Sequence, residues 1–231
     1  MGSIAPDTRD QPALVKAWWT LIRFGFRLLY NEMAWTYDGV SWIVSLGEWR
    51  TWQRAALRHL NVSPGACVLE VAHGTANLQI DLRTAGLDSV AIDLSPYMTR
   101  IARRKLIRHR IAPELARART QALPFPDQAF PAVVSTFPAE FIYDPATLAE
   151  VYRVLQPGGR FVFVPNALFK GRGIVRQGLE LVYRATGQRG PWQTWIEQQF
   201  AAAGFRLSQA NEPCRFSVAQ VVIAEKAADR I

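Results

Sequence analysis

The chain of 231 residues has few of the residues that build metal centres or disulfide frameworks. It contains two cysteines, Cys67 and Cys214, and three histidines. Their spacing matches neither a metal-ligand cluster nor a disulfide pattern. We therefore expect two buried, reduced thiols in a cytosolic protein and no metal cofactor.

Long apolar runs are missing as well. No stretch of 18 or more apolar residues occurs, and residues Met1 to Pro12 are too polar and acidic for a secretory signal. These absences predict a cytoplasmic protein. No internal repeat or low-complexity segment is visible, and 49% hydrophobic residues are enough to bury one sizeable core.

Acidic residues are outnumbered by basic ones, so the net charge is +8, which favours an anionic partner surface. The N-terminal part is rich in aromatic residues, because six of the eight tryptophans lie between Trp18 and Trp52. Residues 12–31 have the periodicity of an amphipathic helix with a cationic stripe. We predict a helical N-terminal extension over residues 1–60 and a core domain over residues 61–231.

The most informative motif is a short apolar strand that ends in an acid and then in small residues. Val68–Val71 includes Glu70 and leads into Ala72-His73-Gly74-Thr75-Ala76, and a second apolar run ends at Asp93. Small residues let a ligand approach the backbone, and an acid at the end of the second strand can accept hydrogen bonds from a ribose. The G-x-G-x-x-G of dinucleotide folds is absent, and Glu70 would repel a pyrophosphate.

Three later segments complete the pattern: Gln121–Asp127, Ala132–Phe137 and Arg153–Val164. In order and spacing, the four signals resemble class I S-adenosylmethionine-dependent methyltransferases over about residues 62–165. Upstream, residues 30–38 and 45–52 are similar to the entry region of quinone-ring C-methyltransferases and phospholipid N-methyltransferases.

The alternation of strand and helix patterns predicts an α/β fold. The resemblance implies a Rossmann-like, seven-stranded, mostly parallel sheet flanked by helices, with an antiparallel C-terminal strand. We place strands near residues 66–71, 88–93, 115–119, 131–137, 160–165, 205–211 and 217–225. We place helices near residues 49–60, 75–85, 96–109, 145–155, 173–186 and 192–203.

The resemblance implies S-adenosyl-L-methionine as cofactor. Glu70, Gly74 and Thr75 would surround its methionine end, and Asp93 would bind the ribose hydroxyls. The complete implied set of cofactor-binding residues is Glu70, Ala72, Gly74, Thr75, Asp93, Leu94, Met98, Thr120, Gln121, Ala122 and Thr136.

Three positions depart from the family pattern. Ala72 and Ala76 replace glycines; the first would be strained in a left-handed conformation, whereas the second is expected to need only a small side chain. Arg119 stands where the family has an acid for the adenine amino group, and a guanidinium cannot accept a hydrogen bond. Thr120 or Gln121 is the expected substitute.

Candidate residues for the acceptor chemistry are Tyr37, His73 and Glu140, with Tyr143 and Asp144 also close in sequence to the fourth strand. Each has a structural alternative. His73 can be a histidine bonded to backbone, and Tyr37 can be a packing residue.

The leading hypothesis is methyl transfer by in-line displacement to a hydrophobic, quinone- or lipid-like small molecule, with peripheral contact of residues 12–31 with the inner face of an anionic membrane. The aromatic residues can equally line an apolar pocket. A second hypothesis is an RNA methyltransferase that uses the basic region 100–119. A third is a cofactor-binding protein that has lost methyl transfer.

Overall fold

The structure is a computed structural model that describes residues 33–170 and 194–228, together with Thr20, Leu21, Phe24, Gly25 and Leu28. The predicted helix over 173–186 lies outside the described residues, as does most of the predicted helix over 12–31.

A seven-stranded sheet with the order β3-β2-β1-β4-β5-β7-β6 organises the fold. The strands are β1 (Cys67–Val71), β2 (Asp88–Asp93), β3 (Leu115–Arg117), β4 (Phe130–Thr136), β5 (Leu155–Phe169), β6 (Phe205–Pro213) and β7 (Ser217–Lys226). The first five strands are parallel, and β7 runs antiparallel between β5 and β6. The predicted fold class is confirmed.

The helices are α1 (Tyr37–Val44), α2 (Trp49–Ala55), α3 (Asn77–Thr84), α4 (Pro96–Arg108), α5 (Pro145–Val154) and α6 (Thr194–Ala202). Short 3₁₀ turns cover Ala34–Thr36, Ala56–His59 and Glu140–Tyr143. The predicted helices of the core match α3 to α6 within two residues, whereas α1 and the extension of β5 to Phe169 were not predicted.

The central strands are apolar on both faces because both faces are covered. On one face, Val133, Phe161 and Phe163 belong to one buried cluster, and on the other, Val134 and Val162 belong to a second. Cys67 and Cys214 are unpaired and half-buried, and burial raises the pKa of both thiols.

Helix α2 is joined to the sheet by its hydrophobic face and by polar contacts at both ends. Trp52 is 1% exposed and donates from Nε1 to Ser217 Oγ at 2.6 Å. Ser217 Oγ in turn donates to Glu48 Oε2 at 2.6 Å, just before α2 begins. Arg50 and Arg54 bind one oxygen of Asp81 on α3. These contacts fix α2 to the start of β7 and to α3.

Candidate functional site

A tight turn between β1 and α3 is the centre of the site. Ala72, Gly74 and Ala76 have φ values of 58°, 53° and 63°, so three alternate residues are left-handed. The strain expected at Ala72 is therefore present. The expectation for Ala76 was incomplete, because this residue needs a left-handed backbone as well as a small side chain. An alanine in this region costs about 1–2 kcal/mol relative to a right-handed conformation.

Substituting Ala72→Gly is expected to stabilise the protein by about 0.5–1 kcal/mol, because glycine adopts this φ without strain but loses more entropy on folding. Ala72 is half-buried, so the methyl group lost is small. Urea unfolding monitored by circular dichroism measures the change. Ala85→Gly, at a right-handed position just after α3, is the matched control and should destabilise; a destabilised Ala72→Gly variant would contradict the strain argument.

Asp93 holds this turn to the end of β2. Its Oδ2 accepts from the Gly74 N–H at 2.9 Å, and its Oδ1 accepts from the Ser95 N–H at 2.8 Å. The Ser95 side chain then caps α4 by accepting from Met98 N. The predicted ribose-binding acid is thus half-buried, oriented by two backbone donors and directly beside the glycine of the turn.

Glu70 is enclosed in the core below the turn, only 1% exposed. It accepts from Gln79 Nε2 at 2.7 Å, and Gln79 Oε1 accepts from Ser89 Oγ at 2.8 Å. The pKa of Glu70 is raised to about 8, mainly by burial; the bond from Gln79 opposes this shift, and the nearby carboxylates of Asp93 and Asp81 add to it. The Glu70 carboxyl group therefore links β1, which precedes the turn, to Gln79 on α3, which follows it.

A raised carboxyl pKa means that the native protein keeps a proton that the unfolded chain releases. The free energy of unfolding should therefore fall as pH rises from 4.5 to about 8, by at most about 1.4 kcal/mol per pH unit. Glu70→Gln should remove this dependence and stabilise the protein most at pH 8. Urea unfolding at pH 5, 6, 7 and 8 tests this, with exposed Glu114→Gln as control; parallel pH profiles for wild type and Glu70→Gln would contradict it.

His73 is 3% exposed within the turn, and its ring is oriented by the backbone. Nδ1 donates to the Gly74 carbonyl at 2.9 Å, so Nε2 carries the lone pair, and Nε2 is buried without a partner. Burial lowers the pKa of this imidazole, against the opposing charge of Asp93. The histidine is therefore neutral with a free basic nitrogen, and its role as a base stays a prediction.

A polar cluster joins the N-terminal segment to the turn. Thr75 Oγ1 donates to Asp38 Oδ1 at 2.6 Å, and Asn77 Nδ2 donates to the same oxygen at 3.1 Å. Lys105 Nζ on α4 binds Asp38, Thr75 and Asn77. Burial raises the pKa of Asp38, but these bonds outweigh it and lower the pKa overall. The sequence analysis did not single out Lys105, because its charge was counted as part of the basic region 100–119.

A second group lies where β4 ends. Gln53 Nε2 on α2 donates to Thr136 Oγ1 at 3.1 Å. Phe137, with a left-handed φ of 51°, stacks on Trp49 with ring centroids 4.0 Å apart. Tyr37 meets Trp49 edge-on at 6.1 Å. Gln53 and Phe137 were also missed; the only signal in the sequence is the spacing of Trp49 and Gln53, which places both on one helix face.

The remaining candidate cofactor residues differ in exposure. Met98 is buried, and Leu94 is 54% exposed. Thr120 is buried, and Ala122 is exposed. Gln121 donates its amide to Asp144.

Two acceptor-side candidates have clear structural positions. Asp144 caps α5 by accepting from Ala146 N, and burial raises the pKa of Tyr143 to about 12. Glu140 is exposed on the 3₁₀ turn after β4. The structure therefore brings His73, Thr75, Asp93, Thr136 and Tyr37 to one edge of the sheet, and it leaves the roles of all of them as predictions.

A Cβ added at Gly74 would meet no atom of the described residues within 4 Å, so the turn leaves room for a cofactor beside its backbone. The strand order and this edge define a Rossmann-like α/β protein whose ligand site lies at the carboxyl ends of the parallel strands. Comparison with known proteins gives the family. The chain belongs to the ubiE/COQ5 methyltransferase family, whose sequence pattern matches residues 26–170.

Two relatives show the extent of the similarity. A demethylmenaquinone methyltransferase from Symbiobacterium thermophilum is 33% identical over 144 residues, which cover 59% of this chain and 57% of the relative. One from Thermus thermophilus is 36% identical over 137 residues, covering 58% of this chain and 62% of the relative. The match thus spans less than two thirds of these relatives.

A solved structure shares the fold. A phosphoethanolamine N-methyltransferase 2 from Haemonchus contortus, in complex with S-adenosyl-L-methionine, superposes with a TM-score of 0.59 and 16% identity, covering 78% of this chain and 53% of that one. The predicted family is confirmed.

Proposed function

We propose that the protein transfers a methyl group from S-adenosylmethionine to a hydrophobic, quinone-like ring. The observation that carries this proposal is the family match over residues 26–170, which includes both the turn at Gly74 and the aromatic group at Trp49. The names of the relatives, demethylmenaquinone methyltransferases, support a quinone-type acceptor.

Asp93 and the backbone of residues 72–76 would hold the cofactor. Asp93 is already fixed by two N–H donors, so binding a ribose requires little further ordering of its side chain. When bound, S-adenosylmethionine supplies an electrophilic methyl group on a positively charged sulfur. Thr75 and Asn77 are held by Lys105 and Asp38, which keeps the first turn of α3 in place beside the ligand.

The aromatic group formed by Tyr37, Trp49 and Phe137 would position the acceptor ring. Flat aromatic walls suit a planar, greasy acceptor and exclude water, and a displacement at carbon with a good leaving group mainly needs this alignment. His73, whose Nε2 has no partner among the described residues, would take the proton that the acceptor loses.

Isothermal titration with S-adenosylmethionine, S-adenosylhomocysteine and NAD tests the cofactor. Transfer of a radiolabelled methyl group to a 2-prenyl-1,4-naphthoquinone in its reduced form, recovered in the organic phase, tests the acceptor. We expect micromolar binding of both sulfur nucleosides and label in the lipid extract. Binding of NAD alone, or no binding of S-adenosylmethionine at millimolar concentration, would refute the proposal.

We also propose that the N-terminal part contacts an anionic membrane surface, where prenylated quinones are found in the hydrocarbon phase. Among the described residues, an apolar surface exposes Trp35 by 78%, Trp42 by 65% and Ile43 by 62%. The positive net charge of +8 complements anionic lipid. None of the helices that the structure describes is long and apolar enough to cross a bilayer.

Flotation with vesicles of phosphatidylglycerol and phosphatidylcholine tests this contact. The double variant Trp35→Ser/Trp42→Ser should lose most of the lipid-bound fraction, since two interfacial rings are removed. Ile107→Ser removes an apolar side chain that is 56% exposed on α4 and is the matched control. Equal flotation of wild type and the double variant would rule out this surface.

A further inference from the structure

Two buried polar groups beside the end of β4 have no hydrogen-bond partner among the residues that the structure describes. Trp49 Nε1 is a donor, Gln53 Oε1 is an acceptor, and both are inaccessible to solvent. The Gln53 residue as a whole is 8% exposed. Because buried polar groups are nearly always paired in folded proteins, an unpaired donor and an unpaired acceptor on one side of one helix indicate that a ligand supplies the missing partners.

The two side chains project from one face of α2, and each is oriented by a contact at the end of β4. Trp49 and Gln53 are four positions apart on α2, which places their side chains next to each other on the helix surface. Gln53 is oriented by its bond to Thr136 Oγ1, and Trp49 by stacking on Phe137. Phe137 has a left-handed backbone. Strain of this kind in a non-glycine residue is found preferentially at functional sites.

Their position relates them to the cofactor turn. Glu70 of β1 pairs with Val134 of β4, so the turn after β1 leaves the sheet beside Thr136. A ligand that reaches Gln53 from this edge therefore lies next to residues 72–76.

We infer that Trp49 and Gln53 bind a ring hydroxyl of the methyl acceptor. A hydroxyl is the smallest group that is both donor and acceptor, so it can accept from Trp49 Nε1 and donate to Gln53 Oε1 at the same time. A ring ether or carbonyl can only accept, and it would leave Gln53 Oε1 unpaired. The pair thus selects hydroxyl-bearing rings, and a site built to bond a hydroxyl discriminates strongly against analogues that lack it. This inference rests on the proposed function, whose ring acceptor it specifies.

Equilibrium dialysis with 1-naphthol and 1-methoxynaphthalene, in the presence of S-adenosylhomocysteine, tests the inference with redox-stable probes. Wild type should bind 1-naphthol about tenfold more tightly than the ether. Gln53→Met should reduce that preference roughly fivefold, whereas Trp49→Phe should weaken binding of both probes, because both oxygens accept from Nε1. Trp49→Phe keeps the stacked ring and removes only the donor. Trp42→Phe, at an exposed tryptophan, should leave the preference unchanged.

Binding of the ether distinguishes a residue that selects the hydroxyl from a residue that only supports the fold. The Gln53→Met variant should bind 1-methoxynaphthalene as wild type does, and both variants should keep their melting temperatures within a few degrees. A wild type that binds both probes equally or neither, a Gln53→Met variant that retains the naphthol preference, or a Trp49→Phe variant that binds both probes as wild type does would overturn the inference. Titration with S-adenosylmethionine is scored separately, so a protein that binds the cofactor but shows no hydroxyl preference refutes this assignment and leaves methyl transfer standing.

Discussion

Replacing Asp93 with alanine is expected to weaken binding of S-adenosylhomocysteine roughly 100-fold, as charge-assisted hydrogen bonds contribute about 1.5–3 kcal/mol each. The carboxylate accepts from Gly74 and Ser95 in the protein, so its loss frees the turn as well as the predicted ribose contact. Isothermal titration measures the change. The free energy of unfolding should fall by less than the free energy of cofactor binding, because Asp93 is only half-buried.

Two further variants separate the contributions. Asp93→Asn keeps one acceptor oxygen and should lose about tenfold in affinity, intermediate between wild type and alanine. Asp127→Ala removes a carboxylate that is 75% exposed and pairs with Arg153 away from the turn, and it should leave cofactor binding intact. An Asp93→Ala protein that binds within threefold of wild type would remove Asp93 from the site.

The largest loss of stability is expected for Trp52→Ala, about 3–5 kcal/mol, because the indole is fully buried and a cavity of its size does not collapse. Trp52 packs edge-on against Phe169 and tilted against Trp49 and Phe137. The substitution also removes the Nε1 donor to Ser217. A loss of this size is a large part of the stability of a typical domain, which is roughly 5–15 kcal/mol.

Urea unfolding gives the value, and two substitutions calibrate it. Trp52→Phe keeps a ring but not the N–H and should cost about 1–2 kcal/mol. Trp42→Ala removes an indole that is 65% exposed and should change stability by less than about 0.5 kcal/mol. If Trp52→Ala and Trp42→Ala unfold at the same urea concentration, α2 is not anchored through Trp52.

Most of the parallel core could be predicted from the sequence because its signals are local. Short apolar runs bounded by turn residues predicted β1, β2 and β4, and the apolar and acidic pattern before Gly74 and Asp93 predicted which ends of the strands form the site. The left-handed backbone at Ala72 was expected from the resemblance, because the family has a glycine at this position.

Other parts of the candidate site could not be predicted, because they depend on contacts between residues far apart in the chain. Nothing near Lys105 in the sequence indicates that it binds Asp38, 67 positions earlier. Gln53 and Thr136 are 83 positions apart, and the strain at Phe137 is visible only in the backbone. Helix α1 was missed because its exposed Trp42 and Ile43 blur the amphipathic pattern. The division of the chain at residue 60 remains a proposal.

The contact between Trp52 and Ser217 joins residues 165 positions apart. During synthesis, the ribosome therefore releases α2 long before β7 exists to receive it, and so distant a pairing forms slowly. We expect a nascent chain stalled before residue 217 to expose this indole to chaperones, with its donor and acceptor neighbours unordered. The region around Trp49 and Phe137, where we propose that the methyl acceptor binds, would then be the last part to assemble, after the parallel strands are already paired.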